Sequence, residues 1–256
     1  MKKPYEGILI CSDYDGTLST DGQIADNNRE AILDFCQKGG MFTVSSGRDH
    51  QFLEKKAGGL FNAPLICVNG TRIYDAKSGQ VLFSQAMDEH CLDTVKSFMP
   101  DSCTGVEVIL EGEHSHGFFA PGALDMSAYE GKPVSKIVTM YATIEDTLAA
   151  KEELCRRFPQ YEFGRSFTVG VEQISPLAGK GECVSFLRRR LGVRLVIAVG
   201  DFENDLSMFA AADLAFAPQN AILEVKEKAN GILCPASEGA LADLIRKLPS
   251  ILDANL

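Results

Sequence analysis

Long apolar runs are missing. No segment of the 256 residues approaches the roughly 18 apolar residues that a membrane span needs. The run Ile8 to Cys11 after Lys2 and Lys3 is too short for a secretory signal, and Asp13 ends it. A membrane partner is not expected. Cysteine is sparse: there are eight, far below the density of a disulfide scaffold. No two of them stand at the two-residue spacing of a zinc or redox motif. Reduced thiols in a cytoplasm are implied, and Cys11, Cys67 and Cys183 lie in apolar stretches as small core residues. Positive charge is outnumbered, 25 Lys and Arg against 35 Asp and Glu for a net of -10, so the field repels a polyanion and nucleic acid is not an expected partner. Low-complexity tracts and Pro/Gly/Ser linkers are absent too. What remains is 45% hydrophobic and 23% charged, the balance of a soluble globular protein with a real core. At about 150 residues per domain the length allows one large domain or two modest ones; oligomeric state is not legible.

Short apolar runs bounded by turn residues alternate with helical patterns. Ile8 to Cys11 is followed by a helix after Asp26, then by Met41 to Val44 and Pro64 to Val68. This is the βαβ rhythm of a parallel sheet covered on both faces. The first helix places Ala31, Ile32, Phe35 and Cys36 on one face and stops at Gly39 and Gly40. The rhythm returns late: a helix from about Gly181 to Arg190, the strand Leu195 to Val199, a helix near Leu206, the strand Leu214 to Ala217, continued alternation through Ile222 to Lys228, and a helix around Ala240 to Leu248.

Between about Gln85 and Gly170 the pattern changes. Val106 to Glu111 is followed at once by His116 to Ala120, which implies an antiparallel hairpin. Helix patterns at Leu92, Val95, Phe98 and at Leu148, Glu152, Cys155 each precede two strands, an αββ unit used twice. The expected architecture is α/β: a Rossmann-like parallel core from residues 1–84 and 171–256, interrupted by an α+β cap domain over 85–170, with short hinges near Ser84 and Val171.

Open parallel sheets bind ligands at the carboxyl ends of their strands. After the first strand come Asp13-Tyr14-Asp15-Gly16-Thr17, where residues two apart point the same way and Gly16 turns the chain. After Met41 to Val44 come Ser45, Ser46, Gly47 and Arg48; after Leu195 to Val199 come Gly200, Asp201, Phe202, Glu203, Asn204 and Asp205. Lys180 opens the helix leading to that last strand. Two carboxylates about 4 Å apart repel by roughly 4 kcal/mol at an effective dielectric near 20, so Asp13, Asp15 and Asp201 call for a divalent cation. Oxygen ligands with no His or Cys nearby favour Mg²⁺ over zinc. Ser46, Lys180 and N–H groups near Gly16 and Gly47 can hold phosphoryl oxygens. Each piece has a plain structural alternative: Asp201 or Asp205 as an N-cap, Lys180 as a solvated lysine. Their joint appearance at one sheet edge favours chemistry.

These motifs resemble those of the haloacid dehalogenase superfamily of aspartate-nucleophile hydrolases, in its Cof-like branch of sugar-phosphate phosphatases. Asp13-Tyr14-Asp15-Gly16-Thr17-Leu18 is similar to the nucleophile motif, Ser46-Gly47-Arg48 to the serine-or-threonine motif, Lys180-Gly181 to the lysine motif, and Gly200-Asp201 through Asn204-Asp205 to the acidic motif. Val68-Asn69-Gly70 and Asn220-Ala221 resemble two further markers of the branch, and Ser45 stands where a small apolar residue is more usual.

The resemblance implies a Mg²⁺-dependent phosphatase of small phosphate monoesters. Asp13 would be the nucleophile and Asp15 the general acid and base. Ser46, Gly47, Lys180 and Asn204 would hold phosphate. Asp13, Asp15 through its backbone carbonyl, Asp201 and Asp205 would serve the metal. Arg48 and Asn69 would contact substrate beyond the phosphate, with a structural ion pair and a turn asparagine as alternatives. Glu111, His114 and His116 at the cap hairpin either face substrate or form a solvated turn. A cap of about 86 residues would roof the sheet edge and exclude phosphoproteins. A phosphomutase, a transport ATPase and a catalytically silent binding module are the other readings. The ATPase lacks its membrane spans, and the silent module would have lost a motif acid.

Overall fold

Apolar runs without polar alternation need cover on both faces. In the computed structural model, which describes residues 3–113 and 117–255, such runs build a parallel sheet. Strand β1 (Ile8–Ser12) is buried along its whole length, and each Ile or Leu so buried contributes about 1.5–3 kcal/mol. A small hairpin of β2 (Ser19–Thr20) and β3 (Gln23–Ile24) follows. Helix α1 (Asp26–Gln37) buries Ile32 and Phe35 and ends before Gly39, whose φ of 97° is the left-handed turn a helix stop uses. Then come β4 (Met41–Val44), α2 (His50–Ala57) and a three-stranded sheet of β5 (Leu65–Cys67), β6 (Arg72–Asp75) and β7 (Gln80–Ser84), in which β5 and β6 run antiparallel.

The insert is α3 (Asp93–Ser97), β8 (Cys103–Leu110), β9 (Val134–Tyr141), α4 (Ile144–Arg157), β10 (Glu162–Gly164) and β11 (Gly170–Ile174). Its strands form one antiparallel sheet in the order β10-β11-β9-β8. The αββ order does occur twice, but the partner strand differs from the expected hairpin. Val134–Tyr141 pairs along β8, whereas residues 117–120, the described part of the expected second strand, form no named strand and meet β8 in a single bridge, Val106 to Phe119. Val106, Val108, Ile137, Tyr141, Val171 and Phe163 pack with Val95, Ala150 and Leu154 from the helices. The alternation leaves Lys136 and Glu172 on the opposite face, where they form a buried ion pair of 3.1 Å.

The chain then returns through α5 (Lys180–Leu191), β12 (Leu195–Val199), α6 (Leu206–Ala211), β13 (Leu214–Pro218), α7 (Leu223–Lys228), β14 (Gly231–Leu233) and α8 (Ala240–Asn255). The five-stranded parallel sheet has the order β14-β13-β12-β1-β4. Two compact units result: Met1–Leu82 with Lys180–Leu256, and Phe83–Gly179. The second junction therefore lies nine residues beyond the expected one at 170/171, because Gly170–Ile174 pairs with β9 and belongs to the insert's sheet. Among the described residues no helix is long and apolar enough to cross a membrane.

Candidate active site

Sheet order and register bring three strand ends together. Ser12 of β1 stands opposite Val199 of β12 on one side and Val44 of β4 on the other. The ladder runs one residue further, with Asp13 N–H donating to the Val199 carbonyl and Ser45 N–H to the Ser12 carbonyl, each at 2.8 Å. Asp13, Gly200-Asp201 and Ser45-Ser46 thus leave the sheet side by side. Lys180 enters from the first residue of α5, and Asp205 from the 3₁₀ turn Glu203–Asp205 that leads into α6.

Lys180 is 1% exposed, and its ammonium lies 2.6 Å from Asp13 Oδ1 and 2.6 Å from Asp205 Oδ1. The other Asp205 oxygen accepts the N–H groups of Asp201 (2.9 Å) and Phe202 (3.1 Å). Both Asp205 oxygens are therefore occupied, and this residue fixes Lys180 and the turn after β12. Asp201 accepts from the Thr17 hydroxyl at 2.6 Å through Oδ1. Oxygens of Asp13, Asp201 and Asp205 lie within 4.8 Å of one another, so three carboxylates face one ammonium. Burial, and then the Asp205 charge, push the Asp201 carboxyl up to about 6. Burial likewise raises the Asp13 carboxyl well above its usual range, because the pull of Lys180 is outweighed once Asp205 and Asp201 add their charges. Burial alone would lower the Lys180 ammonium, yet the two aspartates hold it above the ordinary lysine range. The site carries uncompensated negative charge, and Asp13 and Asp201 each keep one oxygen without a hydrogen bond among the described residues. Such a donor set, carboxylate only and short of positive charge, fits a hard divalent cation.

Around this cluster the other expected residues take definite places. The Ser46 hydroxyl accepts the Arg48 N–H at 3.1 Å, and both serines are buried, the Ser45 hydroxyl without a partner. The Ser46 carbonyl accepts the Asn69 N–H at 2.8 Å, and Asn69 Oδ1 accepts from Asn204 Nδ2 at 3.1 Å. Asn69 stands in the left-handed region, with φ 54°. Asn220 ties the loop after β1 to the turn before α8, donating to the Gly16 carbonyl (2.8 Å) and accepting from Ala236 N–H (2.9 Å). The Asp15 carboxylate lies outside the carboxylate cluster and is held by Arg48 in a two-point ion pair, the structural alternative given above for Arg48. The Thr17 hydroxyl orients Asp201, a role that its place in the motif does not reveal. Glu111 lies on an exposed turn, while His114 and His116 fall outside the described residues. Burial pushes the Cys11 and Cys67 thiols up to about 12, in keeping with inert core cysteines.

Gly16 gives a direct test of this packing. Its φ is 83°, and a Cβ there would stand 3.0 Å from Asp201 Cγ and closer still to Oδ2. Gly16→Ala is expected to cost about 1–2 kcal/mol for the left-handed backbone. Displacement of Asp201 should slow turnover by about 10²-fold. Thermal unfolding and steady-state rates check the two parts; an unchanged rate would show that Asp201 tolerates the shift.

The sequence profile of haloacid dehalogenase-like hydrolases matches residues 10–245. The chain is similar to the 5-amino-6-(5-phospho-D-ribitylamino)uracil phosphatase YwtE of Bacillus subtilis (strain 168), 27% identical, covering 94% of this chain and 98% of that one. A second phosphatase named for that substrate, YcsE of the same strain, is 28% identical, covering 93% of this chain and 94% of that one. Among solved structures, a haloacid dehalogenase-like hydrolase from B. subtilis superposes with a TM-score of 0.78 at 21% identity, covering 94% of this chain and 99% of that one.

Proposed function

The chain belongs to the haloacid dehalogenase-like hydrolase family and is a phosphatase, and from that premise we propose that it is a Mg²⁺-dependent hydrolase of sugar or polyol phosphates. The observation that carries the reading is the buried Lys180 clamped between Asp13 and Asp205, with Asp201 in the same cluster. An Asp13 oxygen bonds to phosphorus as the ester P–O bond breaks, and the leaving oxygen takes the Asp15 proton. Water then attacks the phosphorus of the aspartyl-phosphate and gives its proton to Asp15, and the bond to Asp13 breaks to release inorganic phosphate. Lys180, Ser46 and the Gly47 N–H neutralise and orient the transferring group, and Asn204 supports them. A divalent cation held by Asp13, Asp201 and the Asp15 backbone carbonyl would supply further charge neutralisation. Asp205 acts through Lys180 and the backbone of Asp201.

The substrate class rests on the branch resemblance and on two relatives named for a phosphoribityl substrate. All eight cysteines are free thiols, which suits action in a reducing cytoplasm. The test is phosphate release from hexose, pentose, polyol and nucleotide monophosphates and from a phosphopeptide, with Mg²⁺ and with chelator. Small sugar or polyol esters are expected to have the highest kcat/KM, and chelator to abolish release. A preferred phosphopeptide, or full rates in chelator, would overturn the reading. Phosphate moved between positions of one sugar without release would identify a mutase.

A further inference from the structure

The side chain that follows Ser46-Gly47 does not wait for a ligand. Arg48 Nε donates to Asp15 Oδ2 at 2.9 Å and Arg48 Nη2 to Asp15 Oδ1 at 3.1 Å, a two-point fork that takes both carboxylate oxygens. A planar guanidinium engaged this way fixes the plane of its partner. The fork is itself held. The Arg48 guanidinium lies 4.9 Å over the Phe52 ring. Its backbone N–H is tied to the Ser46 hydroxyl at 3.1 Å, and its carbonyl accepts the Val68 N–H at 3.0 Å. Phe52 in turn meets Tyr14 edge to face at 5.7 Å, and Tyr14 is the residue bonded to Asp15. The four side chains close a ring: Tyr14 on Phe52, Phe52 under Arg48, Arg48 on Asp15. Phe52 is placed by the first turn of α2, where its N–H donates to the Asp49 side chain at 2.9 Å.

We propose that Arg48 is a positioning residue for the general acid and base Asp15, and that its guanidinium orients the Asp15 carboxyl toward the leaving oxygen instead of reading the leaving group. The inference rests on the phosphatase mechanism above. A carboxylate offers about four lone-pair sites, so a two-point fork leaves one on each oxygen for the proton that Asp15 gives and takes back. Half of each side chain is exposed (50% for both), and an ion pair so exposed adds little to stability. Ordering of a catalytic group is the use that remains for so much fixed geometry.

The experiment compares Asp15→Asn, Arg48→Met, Arg48→Lys and the double variant D15N/R48M on benzyl phosphate and p-nitrophenyl phosphate. These substrates are similar in size, but benzyl alcohol needs a proton to leave and p-nitrophenol scarcely does. R48M is expected to lower kcat on benzyl phosphate by roughly 10²-fold, with KM unchanged and only a several-fold loss on the nitrophenyl ester. The double variant should be no slower than D15N alone, because the positioning residue has nothing left to position. R48K should recover part of the loss and no more, since an ammonium cannot form the fork. Losses that multiply in the double variant, or an R48M effect confined to KM, would overturn the inference while leaving the mechanism standing. A D15N variant equally slow on both esters would remove the acid role itself, and the inference with it. Thermal unfolding within about 1 kcal/mol of wild type confirms that R48M is folded.

Discussion

Asp13→Asn is expected to lower kcat by about 10⁴-fold or more, while the chain stays folded and, in chelator at neutral pH, unfolds at a higher temperature than wild type. The amide has the size of the carboxyl but cannot attack phosphorus, so the rate loss follows from chemistry and not from shape. The stability gain follows from the excess of carboxylates. Burial, and then the charges of Asp205 and Asp201 against Lys180, raise the Asp13 carboxyl above its usual range, so the folded state binds this proton more tightly than the unfolded chain does. The sign is the reverse of a salt-bridged aspartate: stability is lost as pH rises from the unfolded value, about 3.9, and the loss is complete above the folded value. Asparagine removes that penalty and still offers Lys180 an acceptor, with Asp205 left as its counter-ion. Wild type and variant are therefore expected to melt alike near pH 4 and to diverge toward pH 8. A variant less stable than wild type at both values would mean that Asp13 stabilises the core.

The strands that carry this chemistry were legible for a simple reason. Ile8–Ser12, Met41–Val44 and Leu195–Val199 are buried on both faces, so their composition alone marks them, and the polar residues that interrupt each run mark the ends where ligands sit. Lys180 and Asp205 were legible as types at positions, but their common function was not. An ammonium shared between Asp13 and Asp205 depends on how α5 and the turn after β12 meet, which no local pattern records. The Arg48–Asp15 fork joins residues 33 apart and was hidden in the same way. The insert misled for a related reason. A hairpin partner was sought directly after β8, but the strand that pairs with it begins at Val134, across a segment of 3₁₀ turns that includes Pro121–Ala123 and Met126–Tyr129. Gly170–Ile174 has the length of a core strand, and its antiparallel pairing with β9 assigns it to the insert.

Lys180→Met is expected to destabilise the core by about 3–5 kcal/mol, the usual cost of leaving buried charge without its partner, and to abolish turnover. The methionine matches the alkyl stem, so the loss is electrostatic. Asp13 and Asp205 lose the ammonium that each meets at 2.6 Å, and the negative charge of Asp201 adds to theirs. Two additions separate this cause from a packing fault. K180M/D205N should recover much of the stability, because an asparagine oxygen still accepts the Asp201 and Phe202 N–H groups that Asp205 now holds, and one buried charge has gone. Mg²⁺ should raise the melting temperature of K180M, by about 2.7 kcal/mol of stabilisation at a hundredfold excess over its dissociation constant, since Asp13 and Asp201 keep their oxygens. Neither addition should restore catalysis, because the transferring phosphoryl group loses the Lys180 charge in every one of these proteins. If K180M melted with wild type, or if neither D205N nor Mg²⁺ raised its stability, Lys180 would not be the charge that lets three aspartates share one buried corner of the sheet.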